Sequence, residues 1–118
     1  TASRSGGLGS ASDVAKLMSY IVEKEPSLIE STRFSGIRRE TIDHNIFFGQ
    51  NTNLIVRTIP GFIGSKTGFT NQAGGNLVIA FDAGLDRPVI AVVLGSTQDG
   101  RFSDMSKLVA KTIETLSK

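Results

Sequence analysis

A chain of 118 residues, 39% hydrophobic and 20% charged, amounts to about one ordinary soluble globular domain with a modest core, which excludes a disordered tail or a fibrous repeat. Thirteen Lys plus Arg against 11 Asp plus Glu leave a formal charge of +2, and only Arg38 and Arg39 are adjacent, so there is no basic stripe with interleaved aromatics to hold a nucleic acid. Cysteine is absent, which removes disulfides, thiolate chemistry and Cys-based metal sites, and no apolar run approaches the ~20 residues of a membrane span.

Residues 1–9 hold three Gly and two Ser and read as a loop, without the apolar stretch of a signal peptide. The chain opens on Thr1 rather than Met and reads as a fragment or a processed product. From Ser10 the pattern changes. Val14, Leu17, Met18, Ile21 and Val22 recur at helical spacing, which predicts a helix over Ala11–Lys24, with Ser10 and Asp13 as its capping box. Pro26 permits a further helical turn to about Glu30, closing a helical region over 10–31.

Residues 32–60 are read as irregular, with Arg33-Phe34, Glu40-Thr41-Ile42 and Leu54-Ile55-Val56 as short strand or turn candidates. Antiparallel strands are expected over 61–96, at Phe62–Thr67, Asn76–Asp82 and Pro88–Ser96, the last two joined as a hairpin through Ala83-Gly84-Leu85-Asp86. Their apolar runs are continuous rather than alternating, which argues for burial on both faces beneath flanking helices. Residues 97–118 close the chain with a helix from Asp99 to Leu116, whose stripe is Phe102, Met105, Leu108, Val109, Ile113 and Leu116. The expected fold class is therefore α+β, an antiparallel sheet flanked by helices.

Chemistry concentrates in Gly64-Ser65-Lys66-Thr67-Gly68-Phe69-Thr70-Asn71-Gln72-Ala73-Gly74-Gly75-Asn76-Leu77. A phosphate-binding P-loop would need Gly where Ser65 and Pro60 stand, so that reading fails twice. Lys-Thr-Gly is instead the element that penicillin-recognising serine enzymes carry on an edge strand beside the active-site cleft. A Lys ammonium supplies fixed positive charge for an anionic terminus, a Thr hydroxyl hydrogen-bonds the same group, and a Gly lets a ligand backbone lie close. Alone, the three residues are equally an exposed Lys followed by a turn Gly.

The longer run, with the apolar strand after it and Val-Ile-Ala-Val-Val-Leu-Gly-Ser beyond, resembles the D-alanyl-D-alanine carboxypeptidase family of low-molecular-weight penicillin-binding proteins. So do Ser10-Ala11-Ser12-Asp13-Val14-Ala15-Lys16-Leu17, Asn51-Thr52-Asn53-Leu54, and Arg101-Phe102 through Leu108. The resemblance is weakest over residues 25–50 and at the first few residues. It implies part of a penicillin-binding-protein and β-lactamase-like fold, without the N-terminal strands and nucleophile helix. It also implies that Lys66 and Thr67 bind the terminal carboxylate of a peptidoglycan stem peptide or β-lactam, and that Gly68 lets it approach. The main-chain N–H of Phe69 would be an oxyanion donor. Gly74 and Gly75 would permit close backbone approach.

The family's nucleophile motif, Ser-x-x-Lys, is not found here. Three residues before Lys16, Lys24, Lys66, Lys107, Lys111 and Lys118 stand Asp13, Ile21, Ile63, Asp104, Leu108 and Thr115. Its Ser-x-Asn motif is missing likewise. The chain is thus expected to carry the substrate-binding strand of a serine-type carboxypeptidase but no nucleophile, with no metal and no cofactor. The partners implied are the missing N-terminal part of the domain or a second copy, and an extracytoplasmic location goes with the parent enzyme. A non-catalytic peptide-binding or interaction module of the same fold and a class A β-lactamase fragment are the alternatives. His44, beside Asp43, is read as a structural or surface residue because strand neighbours point to opposite faces and no paired Ser is evident. Asp82, Asp86 and Asp99 are assigned to turns or a helix start, and Arg38-Arg39 to a solvated pair.

Overall fold

The computed structural model describes residues 8–117, so most of the predicted 1–9 loop and Lys118 lie outside the described residues. Two α-helices, α1 (Ala11–Lys24) and α2 (Gly100–Leu116), flank a three-stranded antiparallel sheet of β3 (Phe62–Thr70), β4 (Gly74–Asp82) and β5 (Pro88–Ser96), with β4 central. A separate two-stranded hairpin, β1 (Gly36–Glu40) with β2 (Ile46–Gln50), precedes that sheet. The architecture is α+β, with helices on both faces of the larger sheet.

α1 forms over the residues its apolar spacing predicts, and its start is the expected capping box. Ser10 Oγ accepts from the Asp13 N–H at 3.1 Å, and the Asp13 carboxylate accepts from the Ser10 N–H at 3.1 Å. Met18 is its buried centre, while Leu17, expected on the same stripe, is 62% exposed because it falls at the stripe's edge. The turn after Pro26 is tighter than an α-helical turn, continuing as two 3₁₀ segments, Pro26–Leu28 and Glu30–Arg33.

β4 divides its side chains by strict alternation. Leu77, Ile79 and Phe81 pack with Phe102, Met105 and Val109 of α2, whereas Val78 and Ala80 pack with Met18 of α1 and with Ile29. That two-sided burial is what the continuous apolar run requires. Strand β3 runs to Thr70 and β4 begins at Gly74, both longer than predicted. At that turn Gly74 has φ +75°, and a Cβ built on Gly75 would stand 2.0 Å from the Thr97 carbonyl oxygen, so close backbone approach does explain this Gly-Gly pair.

The β1–β2 hairpin corrects the irregular reading of residues 32–60. Arg33 ends a 3₁₀ segment with Phe34 as its cap, Glu40 ends β1, and Leu54-Ile55 takes the turn alternative and leads into a 3₁₀ segment at Val56–Thr58. The hairpin lacked an apolar alternation because neither of its faces is buried: Phe47 and Phe48, on opposite faces, are both more than half exposed. His44 sits in its connecting turn at φ 64°, not on a strand, with Nδ1 3.1 Å from a Glu40 carboxylate oxygen. Arg38 and Arg39 are exposed, as expected.

Asp82 does serve the β4–β5 turn, accepting from the N–H groups of Gly84 (2.7 Å) and Arg87 (3.2 Å). Asp99 does not cap α2 with its side chain. The Thr97 hydroxyl accepts from the Gly100 N–H at 2.8 Å instead, and the helix begins at Gly100. Leu108, placed on the α2 stripe by spacing, is 38% exposed.

Truncating Phe81, which has no exposed surface, is expected to cost about 3–5 kcal/mol in urea denaturation, whereas Leu17→Ala should stay within about 0.5 kcal/mol of the parent. Equal effects would contradict a core centred on β4.

Candidate functional site

Lys66, Thr67, Gly68 and Phe69 lie in mid-strand on β3, the edge of the three-stranded sheet, opposite Val78, Leu77, Asn76 and Gly75 of β4. Directly opposed residues share a sheet face, so Lys66 stands on the α1 face with Val78, and Thr67 on the α2 face with Leu77. The Lys66 ammonium is exposed and donates to the Thr67 carbonyl oxygen.

The direction of the main chain follows from one hydrogen bond. The Ser65 N–H turns away from β4 and donates to Thr32 Oγ1 at 3.0 Å. In an antiparallel strand successive N–H groups alternate between neighbour and open edge, so those of Thr67 and Phe69, two and four residues on, point to the same open edge as that of Ser65. An unbroken register from Gly64 to Thr70 preserves that parity. The predicted oxyanion donor thus faces outward on the side where Thr67 presents its carbonyl to the ammonium.

Four residues that carry this geometry escaped the reading of the sequence as site residues. Asn53 is buried and donates through Nδ2 to Ser65 Oγ at 3.1 Å, while its Oδ1 accepts from the Ile55 N–H at 3.2 Å. Thr52 Oγ1 lies 2.6 Å from Thr67 Oγ1. Asn51, already in the Asn-rich segment, donates to the carbonyls of Thr32 (2.8 Å) and Phe34 (3.0 Å) and accepts from the Asn53 N–H at 2.9 Å. The segment therefore straps β3 to the 3₁₀ turn that contains Thr32. Its polar composition was visible beforehand, its partners were not.

Arg101 is the fourth, and the least expected. It is 6% exposed, donates from Nη1 to the Gly68 carbonyl at 3.0 Å, and has its guanidinium carbon 4.7 Å from the Phe102 ring centroid. No carboxylate pairs with it among the described residues, and its Nε has no hydrogen-bond partner. The available sequence signal was spacing: Arg101 stands four and eight residues before Met105 and Val109, on the buried face. A buried, unpaired cation thus backs the carbonyl of Gly68, between the predicted carboxylate ligands and the predicted oxyanion donor.

Beside this strand is a cleft of about 270 Å³, walled by Ser65, Lys66 and Thr67 on one side and by Phe34, Ile37 and Gln50 among others on the opposite side. Among the described residues no three of His, Asp and Glu gather where they could hold a metal ion. No helix among them is long and apolar enough to cross a membrane.

A family model described as D-alanyl-D-alanine carboxypeptidase matches residues 3–98. Among solved structures, a penicillin-binding protein from Listeria monocytogenes in its ampicillin-bound form is 30% identical with a TM-score of 0.64, over 78% of this chain and 36% of that one. The cefotaxime-bound form of the Listeria protein is likewise 30% identical, with a TM-score of 0.62 over the same shares. A mutant of a Streptomyces DD-transpeptidase is 26% identical with a TM-score of 0.69, over 84% of this chain and 40% of that one. The chain thus spans well under half the length of these structures. Among curated proteins none matches.

Asn53→Ala removes the donor to a buried Ser65 hydroxyl and is expected to cost about 1–3 kcal/mol of stability. In a double-mutant cycle by urea denaturation, most of that cost should vanish when Ser65→Ala is already present. Full additivity of the two changes would refute the strap.

Proposed function

The chain belongs to the D-alanyl-D-alanine carboxypeptidase family, and on that premise we propose that it is the substrate-binding part of a serine-type carboxypeptidase domain acting on peptidoglycan stem peptides. Lys66 supplies the positive charge, and Thr67 the hydroxyl, that receive the carboxylate of a terminal D-Ala. Gly68 leaves room for the ligand backbone, and the Phe69 N–H donates to the oxygen of the penultimate D-Ala carbonyl as it acquires negative charge. Arg101 deepens the positive potential at Gly68 from behind, a cation already desolvated and without a counter-ion among the described residues.

The reaction of the whole domain is acyl transfer. A serine hydroxyl adds to the penultimate carbonyl, the amide C–N bond breaks, and the terminal D-Ala leaves with a proton on its nitrogen. Water then hydrolyses the acyl ester. No Ser-x-x-Lys occurs in this sequence, so the attacking hydroxyl belongs to a part of the fold outside it. The observation that carries the reading is the coincidence, on one edge strand, of an exposed ammonium with outward-facing N–H groups two residues apart. The continuation Phe-Thr-Asn-Gln-Ala-Gly-Gly and the family match favour a carboxypeptidase over a β-lactamase. Peptidoglycan lies outside the cytoplasmic membrane, so on this reading the parent enzyme is extracytoplasmic, in the periplasm or cell envelope. The ampicillin- and cefotaxime-bound relatives make a β-lactam the second ligand class.

An N-acetylated peptide ending in D-Ala-D-Ala should shift the amide resonances of residues 65–70 in an NMR titration, and Lys66→Ala should weaken that binding about tenfold or more, the size of a hydrogen bond to a charged group. Unchanged affinity in Lys66→Ala would overturn the assignment of the carboxylate. Incubation with a fluorescent penicillin should leave no covalent adduct on this chain alone, and a stable adduct would show that a nucleophile is present in it.

A further inference from the structure

We propose that the 270 Å³ cleft between β3 and the base of the β1–β2 hairpin is the subsite for the side chain of the ligand's C-terminal residue, and that it takes an uncharged, apolar group larger than the methyl of alanine. This rests on the reading of Lys66, Thr67 and Phe69 given above.

Direction comes first. With its penultimate carbonyl at the Phe69 N–H and its carboxylate at Lys66 and Thr67, a peptide on the open edge runs antiparallel to β3, from Phe69 towards Ser65. The cleft is walled by Ser65, Lys66 and Thr67 but not by Gly68 or Phe69. It therefore lies beyond the scissile bond, on the leaving-group side, where only the C-terminal residue can reach it.

Size comes next. The hollow lies just below the ~300–1,000 Å³ of typical small-ligand clefts, far more room than one methyl group fills. Gly36 and Gly49, both among its lining, carry no side chains at the base of the hairpin, where they pair with Gln50 and Ile37.

The lining chemistry selects the group. Phe34 and Ile37 are apolar, while Gln50, Thr52 and Ser31 are neutral and polar. No Asp or Glu lines the cleft, and Lys66 is the one charged residue among its lining. A cationic side chain would find no carboxylate of the protein among the lining to pair with, whereas an aliphatic one would rest on Phe34 and Ile37. The leaving residue is thereby not restricted to D-Ala: a branched aliphatic D-residue fits the same site.

The test is a set of NMR titrations of the full chain with N-acetylated peptides ending in D-Ala-D-Ala, D-Ala-D-Leu and D-Ala-D-Lys. The D-Leu peptide should bind at least about fourfold more tightly than the D-Ala peptide, the value of one buried methylene. The D-Lys peptide should bind more weakly than the D-Leu peptide, by up to about fivefold, the upper end for an exposed charge contact. Gln50→Glu, which adds a carboxylate to the wall with no change of shape, should narrow or invert the D-Leu to D-Lys preference, and Phe34→Ala should lower the D-Leu to D-Ala ratio. A D-Leu peptide that binds more weakly than the D-Ala peptide, or a Gln50→Glu variant with unchanged preference, overturns the subsite while leaving the carboxylate site standing. If no D-Ala-D-Ala peptide binds in a Lys66-dependent way, the carboxylate site itself fails and the subsite falls with it.

Discussion

The arrangement of this molecule depends on β4 being buried on both faces. Leu77, Ile79 and Phe81 commit one face to α2, and Val78 and Ala80 commit the other to α1. A one-residue slip would exchange the two sets, so the register of β4 is fixed by packing rather than by turns. β3 inherits that register. Because Lys66 is opposite Val78 and Thr67 opposite Leu77, the apolar core decides which face the ammonium occupies and which edge the Thr67 and Phe69 N–H groups address. The placing of polar groups at the edge is a by-product of hydrophobic order at the centre.

What could be read from the amino acids follows the same logic. Segments with a buried face announced themselves: the Ser10–Asp13 capping box and the Val14–Met18 spacing marked α1, and the unbroken apolar runs marked β4 and β5 with their double cover. The β1–β2 hairpin did not, since Ile46, Phe47 and Phe48 remain exposed and leave no alternating signature. The start of α2 was legible at Asp99, which is the N-cap, but the capping bond was not, because it is made by the Thr97 hydroxyl rather than by the Asp side chain. Lys66, Thr67 and Gly68 were conspicuous as a motif. Their supports were not, because the contacts of Asn53 with Ser65 and of Arg101 with Gly68 join residues 12 and 33 positions apart.

Those supports divide the work. The Asn51–Asn53 segment holds β3 from the hairpin side through Ser65 and Thr67, while Arg101 holds it from α2 through Gly68. The family match ends at residue 98, so the arginine lies just past the part of the chain that establishes the family, although it touches the centre of the motif. A chain spanning 36–40% of its solved relatives can thus keep the internal geometry of β3, because the bonds that fix it are made within the described residues.

The contact of Gly75 with Thr97 bears on how this protein can vary. A side chain at position 75 would overlap the Thr97 carbonyl, and one at position 74 would stand 2.7 Å from that of Ser96 while also requiring a left-handed backbone. Both intrusions would push apart the loop that leads into Arg101. In a saturation library this glycine pair should behave as an island of intolerance inside an otherwise permissive turn, with the damage felt in a loop more than twenty residues further along the chain.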